Sequence, residues 1–289
     1  MRLAVVALVA LALAGCGSRT VSSLEDAAEA TSAETSRVDL VFRIEATETE
    51  KGFVFRSTGM FDYPGERAVM TTSDPLPLFG EDVQLREIRL IGQTAYWRWV
   101  LKGKAYWMKQ SPYRTSGDPA ELLIPGPGTP TKPTDVLTRA LLASEGNEEL
   151  GKEDIRGEET THYRARVNLK ELVKQVPANE RPPDELMQQF GGPVIPVDVW
   201  IDGESRLRRI VISRPKIAED DFSGPAFTRT VELYDYGVEV DVQPPEGELI
   251  SEEEFMELTG DSVTATVEVE VGEGEVCEPR EMCPGSKKP

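Results

Sequence analysis

The sequence predicts an α+β fold: a large curved antiparallel β-sheet, or half-barrel, with a few short helices covering its open apolar side. Segments with an apolar residue at every second position follow one another from Val38 to Val242, which is the pattern of half-buried strands. Short turns join most of them, and such turns connect antiparallel neighbours. Because the helical segments are too short to form a bundle, we expect the sheet to curl around its own apolar face.

The elements follow in order along the chain. Residues 24–36 are polar and rich in alanine and glutamate, which favours a first helix, and the alternation of strands starts at Val38. Turn residues such as Lys51-Gly52 and Asp202-Gly203 separate the strands. Further strands are predicted at 53–62, 67–73, 83–91, 94–100, 104–110, 148–156, 160–167, 195–201, 206–213 and 226–242. Short helices are predicted at 135–143, 169–175 and 184–190.

The amino-terminal segment, residues 1–15, predicts a lipoprotein signal peptide. Its apolar run from Leu3 to Ala14 is too short to cross a membrane, which takes roughly 20 residues. The run ends in Leu13-Ala14-Gly15-Cys16, which resembles the bacterial lipobox, where the cysteine thiol receives a diacylglyceryl group. We therefore expect lipid attachment at Cys16, a lipidated tether at 16–23 and anchoring to the extracytoplasmic face of the cell membrane.

The other two cysteines lie near the carboxyl terminus. Cys277 and Cys283 are an even pair in a compartment outside the reducing cytoplasm, so we expect a disulfide between them. Their spacing lacks the second pair or the histidines of a structural zinc site. They belong to an acidic extension, 246–289, that follows the half-barrel domain, 24–245. In this extension Ser251 to Glu254 has the pattern of a capping box and predicts a short helix.

The charge balance limits the kinds of partner. The chain has 51 acidic and 32 basic residues, a formal net charge of −19. A surface of this sign repels nucleic acid, and no basic stripe in the sequence overrides the repulsion. We therefore expect no nucleic-acid partner.

The single histidine, His162, is the first candidate for catalysis. The strand period places it with Arg164 and Arg166 on the outer face, facing water, and places Tyr163 on the other face. A general base needs a nucleophile and an orienting acid within hydrogen-bond reach. The sequence offers no Gly-x-Ser-x-Gly turn, no uncommitted cysteine and no second histidine for a metal pair. The prediction is a protein without catalytic residues, metal or cofactor, and not an enzyme.

Two segments carry a resemblance to a known family. Gly157, Thr161 and Tyr163 lie in GEETTHYRARVNL, and Pro196 begins PVDVWIDGESRLRRIVI. Together with the lipobox and in this order, these segments resemble the actinobacterial LppX/LprG-type lipoproteins of the LolA-like superfamily. The resemblance covers most of the chain from Leu24 to Pro245 and does not include the carboxyl-terminal extension.

The resemblance implies a lipid or lipidated glycan held in an apolar cavity between the sheet and the helices, for carriage or presentation at the cell envelope. The candidate lining residues are Leu40, Phe42, Ile44, Phe55, Val197, Val199, Ile201, Val231 and Leu233. The same residues would also suit an ordinary closed core. A second function remains open, because LolA-like half-barrels also occur in envelope sensors that bind a membrane or protein partner and transfer no lipid.

Overall fold

The structure is a computed structural model, and it describes residues 24–46, 52–73, 82–92, 94–110, 144, 146–174, 194–214, 217–219, 222–224 and 226–259. The helices are α1 (Leu24–Ser32), α2 (Leu169–Lys174) and α3 (Glu252–Thr259). The first six strands are β1 (Thr35–Ile44), β2 (Phe53–Asp62), β3 (Arg67–Thr72), β4 (Val83–Ile91), β5 (Thr94–Leu101) and β6 (Lys104–Gln110). The others are β7 (Glu148–Ile155), β8 (Glu158–Asn168), β9 (Val194–Asp202), β10 (Leu207–Arg214), β11 (Ile217–Glu219), β12 (Phe222–Gly224), β13 (Phe227–Tyr234) and β14 (Leu249–Ile250).

The predicted fold class is confirmed: twelve of these strands form one large open sheet. Their order is β14-β6-β5-β4-β3-β2-β1-β13-β10-β9-β8-β7. All neighbours are antiparallel except β14, which runs parallel to β6. Among the described strands, β1 and β13 are the paired neighbours that lie farthest apart in the sequence. They lie side by side near the centre of the sheet. A separate hairpin, β11 with β12, extends the connection between β10 and β13.

Two predicted boundaries were wrong by about four residues or more. The first helix ends at Ser32 and not at residue 36, because Thr35 and Ser36 already pair with β2. The last long strand ends at Tyr234 and not at residue 242, because the chain turns there. Asp235 and Gly237 have φ angles of 49° and 80°, a left-handed conformation that ends a strand.

The segment after β13 crosses the sheet to its far edge. Arg89 of β4 donates a hydrogen bond to the Gln243 carbonyl at 3.0 Å, and the backbone N–H of Trp107 donates to the Glu248 carbonyl at 2.9 Å. Arg89 and Trp107 lie on the same side of the sheet, since the guanidinium carbon is 4.8 Å from the Trp107 ring centroid. The segment therefore runs over this side before β14 pairs with β6.

The predicted capping box at the start of α3 is confirmed. The Glu254 backbone N–H donates to Ser251 Oγ at 3.1 Å, and the Ser251 N–H donates to Glu254 Oε2 at 2.7 Å. These reciprocal bonds satisfy two backbone donors at the helix start. The helix then packs Phe255 against Trp99 of β5, with ring centroids 4.9 Å apart. This part of the acidic extension is thus packed on the sheet.

One carboxylate holds the turn between β9 and β10. Asp202 Oδ1 accepts the backbone N–H groups of Glu204 and Arg206, both at 2.9 Å. Asp202 Oδ2 accepts Nε of Arg208 at 2.6 Å and Nε of Arg206 at 3.1 Å. Burial by itself raises the pKa of Asp202, but the hydrogen bonds from Arg206 and Arg208 and their positive charges lower it below its usual range.

A second ion-pair group ties an edge hairpin to the centre of the sheet. Arg156 occupies the two-residue turn between β7 and β8, where it and Gly157 have φ angles of 57° and 86°. Its Nε donates to Glu232 of β13 at 2.7 Å, and its Nη2 donates to Asp39 of β1. The turn therefore reaches over the polar side of β9 and β10.

Candidate functional site

The candidate lining residues all lie on one side of the sheet, named here the apolar face. Along β1, Val38, Leu40, Phe42 and Ile44 alternate with residues of the opposite, polar face. Residues that lie directly opposite each other on paired strands are on the same face of the sheet. Phe55 lies opposite Phe42 and Val231 lies opposite Leu40, so both belong to the apolar face. All nine belong to or pack against one apolar cluster: Leu40, Phe42, Ile44, Phe55, Val197, Val199, Ile201, Val231 and Leu233.

The nine residues differ in how deeply they are buried. Seven of them are almost inaccessible to water: Leu40, Phe55, Val197, Val199, Ile201, Val231 and Leu233. Phe42 and Ile44, near the end of β1, keep part of their surface exposed. The part of the apolar face that a ligand can reach among these nine residues is therefore the end of β1.

Aromatic side chains gather at this end of the apolar face. The Phe42 ring centroid lies 6.1 Å from that of Phe53 on β2, in an edge-to-face arrangement, and 5.7 Å from that of Phe227 on β13. Ile44 pairs with both Phe53 and Phe227 in the sheet register. We call these four residues the aromatic rim. Phe53 is also only half-buried, so the rim joins the buried cluster to the surface.

A buried arginine lies beside the aromatic rim. Arg229 alternates with Phe227 and Val231 along β13, so its side chain is on the apolar face, where it is 4% exposed. Its guanidinium carbon is 5.1 Å from the centroid of the Phe42 ring, a distance at which a cation is attracted to the ring face. Sequence reasoning missed this residue. The alternation along β13 could have identified it, because Arg229 takes the place of an apolar residue between Phe227 and Val231 on the same face.

Two helices cover other parts of the apolar face. Leu24, Ala27 and Ala28 of α1 are buried in the cluster. The backbone N–H of Leu207 donates to Thr31 Oγ1 at 2.9 Å, which fixes this helix on β10. At the opposite edge, Phe255 of α3 covers Trp99. The predicted helices at 135–143 and 184–190 lie outside the described residues, as do Cys16, Cys277 and Cys283.

His162 lies on the polar face, as the sequence predicts, but it does not face water. Its ring stacks on Trp200 of β9 with centroids 4.0 Å apart and planes at 15°. Nδ1 is 3.0 Å from Glu153 Oε1, and Nε2 is 3.2 Å from Asp198 Oδ1. These contacts leave only 13% of the side chain exposed. The expectation of a solvated histidine was wrong because the neighbouring strand contributes a tryptophan to the same face.

Glu153 links this histidine to the tryptophan. The Trp200 indole N–H donates to Glu153 Oε2 at 3.0 Å. This bond and the hydrogen bond with His162 outweigh partial desolvation and lower the pKa of Glu153. The group thus ties β7, β8 and β9 together on the polar face.

We expect His162→Ala to weaken the fold and to leave ligand binding unchanged. The substitution removes an aromatic stack and two polar contacts, for a loss of about 1–2 kcal/mol in the free energy of unfolding. Urea unfolding followed by tryptophan fluorescence measures this loss. Arg166→Ala, at an exposed position on the same strand and face, is the control and should change stability by less than about 0.5 kcal/mol. A large loss of function at unchanged stability would instead give His162 a chemical role.

The part of the chain that the structure describes also bears on metal binding and on membrane crossing. Among those residues, no group of three or more His, Cys, Asp or Glu side chains is arranged to hold a metal ion. No helix within the described ranges is long and apolar enough to span a membrane.

Comparisons with known proteins give similarities at the level of structure. No family model matches the sequence, and no curated protein matches it. Among solved structures, the chain is similar to LprF from Mycobacterium bovis, with 16% identity, a TM-score of 0.45 and coverage of 78% of this chain and 95% of that chain. It is similar to the Mycobacterium tuberculosis lipoprotein LppX, with 15% identity, a TM-score of 0.41 and coverage of 76% and 96%.

A third similar structure is a LolA superfamily protein from Nitrosomonas europaea, with 11% identity, a TM-score of 0.30 and coverage of 76% of this chain and 95% of that chain. These matches name the same group, LppX and the LolA superfamily, that the sequence motifs resemble.

Proposed function

We propose that this chain is a membrane-anchored extracytoplasmic lipoprotein that binds a lipid or lipidated molecule at its apolar face, for carriage or presentation at the cell envelope. The observation that carries the proposal is the aromatic rim. Phe42, Ile44 and Phe53 are half-buried apolar side chains that continue directly into the buried cluster of the same face.

The rim has the chemistry that an acyl chain requires. Each methylene group that moves from water to an apolar surface contributes about 0.8 kcal/mol, so a few methylenes on these rings give useful affinity. Phe42, Phe53 and Phe227 offer ring surfaces in edge-to-face or tilted arrangements. Arg229 places a positive charge next to Phe42, which suits the polar end of an amphiphile with a carboxylate or phosphate.

The contacts of His162 on the polar face argue against a catalytic role for this residue. His162 has its ring on Trp200 and its two nitrogens near carboxylates of Glu153 and Asp198. A general base needs an acceptor nitrogen directed at a substrate proton, and here both ring nitrogens are directed at the protein's own groups. The histidine therefore stabilises the sheet on the face opposite the proposed ligand.

A fluorescent fatty acid tests the proposal in solution. Titration of delipidated protein with a dansyl-labelled undecanoic acid should give saturable binding with a blue-shifted emission, because the dansyl group enters an apolar environment. Unlabelled palmitate should displace the probe. A linear, non-saturating signal that palmitate does not reverse would contradict binding at a defined apolar site.

The proposed anchor makes a separate prediction. Cys16→Ser should abolish lipid labelling of the chain and move it from the membrane fraction to the medium, because stable attachment requires the acyl chains on this residue. Cys277→Ser serves as the control and should stay membrane-bound. Membrane retention of Cys16→Ser without a thioether lipid would show that the amino-terminal segment holds the chain as an uncleaved helix.

A further inference from the structure

The apolar face has a second accessible part on β3 and β4, away from the aromatic rim. Met70 and Ile88 lie directly opposite each other on these strands, and both are half-buried and pack against the apolar cluster. Gly59 of β2 lies opposite Met70 and also opposite Val38 of β1. Val38 is six positions before Ile44, a separation of about 20 Å along a strand, so this part of the face is distinct from the rim.

A buried indole borders this second part of the face. Trp97 of β5 lies opposite Ile88, and only 6% of Trp97 is exposed. Its Nε1–H is shielded from water, and no residue that the structure describes accepts a hydrogen bond from it. Buried polar groups are paired in the great majority of cases, and a buried donor without an acceptor lowers stability. An acceptor supplied by a ligand would relieve this penalty.

The side chains around Trp97 determine which acceptor suits it. Its cross-strand partners on the apolar face are Ile88 and Met108, and its neighbours on the same face of β5 are Ala95 and Trp99. None of these four side chains carries a charge, so a carboxylate or phosphate would lose its hydration here without a compensating cation. A hydroxyl or amide would bring a donor of its own, and the four side chains offer it no oxygen acceptor. The carbonyl oxygen of an ester accepts a hydrogen bond and brings no donor.

Aromatic neighbours hold this indole in place, whereas the accessible side chains beside it can adjust. The Trp97 ring stacks on Trp99 with centroids 5.9 Å apart and planes at 29°, and the Trp99 ring centroid lies 4.9 Å from that of Phe255 on α3. Met70 is unbranched and has several rotatable bonds, so it adapts its shape to what lies against it. A lipid that lies on Met70 and Ile88 is therefore next to a donor of fixed orientation.

We propose that Trp97 Nε1 donates a hydrogen bond to an ester carbonyl of a lipid whose acyl chain lies on Met70 and Ile88. The inference rests on the proposed lipid-binding function and narrows its ligand to lipids with ester-linked acyl chains, in preference to ether lipids of the same chain length. Met70 and Ile88 supply the apolar surface for the chain, and Trp97 determines the preference for the ester.

Equilibrium binding of two radiolabelled lipids to the full, delipidated chain tests this inference. The lipids are dioleoylglycerol and its diether analogue, which has the same hydrocarbon chains and no carbonyl, and both are delivered from cyclodextrin. The wild type should bind the ester about tenfold more tightly than the ether, the effect of one hydrogen bond to a buried donor. Trp97→Phe should reduce this preference to less than about twofold and leave the affinity for the ether nearly unchanged, because the donor is replaced by an apolar group.

Trp107→Phe is the matched control, because Trp107 is a buried tryptophan on the polar face, where Arg89 lies against its ring. This variant should keep the wild-type preference for the ester. Equal affinities of the wild type for the two lipids would overturn the inference and leave the proposed function intact, and this comparison decides the matter even if Trp97→Phe does not fold. A preference that persists in Trp97→Phe, or is lost equally in Trp107→Phe, would overturn it as well. Saturable binding of neither lipid would contradict the proposed function itself, and the inference with it.

Discussion

Asp202→Asn is expected to lower the free energy of unfolding by about 3 kcal/mol or more. The neutral amide leaves Arg206 and Arg208 without their shared buried carboxylate, and removing one partner of a buried ion pair is strongly destabilising. It also weakens the hydrogen bonds that close the β9–β10 turn. Urea unfolding at neutral pH measures the loss.

The same carboxylate gives stability a defined pH dependence. Because folding lowers the pKa of Asp202, its contribution is fully present above the pKa of an unfolded aspartate, about 3.9. The contribution is lost as pH falls through the lower, folded value. Stability of the wild type should therefore fall in acid more steeply than stability of Asp202→Asn, which lacks this titration.

Asp198→Asn is the matched control for this change. Asp198 lies on the same strand and face, but it pairs with the half-exposed Arg164 at 2.9 Å and with His162 at 3.2 Å. Pairs of this kind contribute little, and we expect a loss below about 1 kcal/mol. Equal losses for the two variants would contradict the central role of Asp202 in the β9–β10 turn.

Ile44→Asp is expected to reduce the lipid that purifies with the protein by about tenfold, since it places a carboxylate in the aromatic rim. A charged group in contact with acyl chains carries a desolvation penalty that the lipid cannot compensate. Ile44 is half-buried, so the carboxylate retains water in the unbound protein and the fold should remain intact. Extraction of the purified variant and quantification of acyl chains by mass spectrometry measure the effect.

Val41→Asp is the control that shows whether the loss of lipid depends on the face of the sheet that carries the charge. Val41 lies three residues before Ile44 on β1, is half-buried in the same way and belongs to the polar face. Its substitution introduces the same charge at a similar depth, and we expect wild-type lipid content. If both variants lose lipid equally, the loss reflects general damage to β1 and not a ligand at the rim.

The sequence predicted most strands because their alternation agrees with the burial that the sheet imposes. The end of the last long strand was missed for a local reason. Apolar alternation continues past Tyr234, but Asp235 and Gly237 take left-handed φ angles, and only the turn geometry ends the strand there. The helix boundary after Ser32 has a similar cause, because pairing of Thr35 and Ser36 with β2 outweighs the local preference for helix.

The sequence predicted which face of the sheet carries the candidate site, but it did not predict which residues of that face are accessible. Strand period assigns Phe42 and Ile44 to the same side as Val199 and Val231, but it cannot tell which of them remain exposed. That distinction depends on the chain segments that cover each strand. The environment of His162 depends on a residue distant in sequence, because Trp200 lies opposite His162 across the β8–β9 pair. The two arginines that bind Asp202 are close to it in sequence, but the β9–β10 turn is what brings them to its carboxylate.

Mass spectrometry of lipid extracted from the wild-type protein, purified from its membrane in mild detergent, tests the central claim most directly. Beyond the acyl groups attached at Cys16, we expect a non-covalent lipid or glycolipid in near-stoichiometric amount. It should decrease in Ile44→Asp and persist in Val41→Asp. If the wild type carries only its covalent acyl groups and takes up no lipid when incubated with phospholipid vesicles, binding at the apolar face is contradicted.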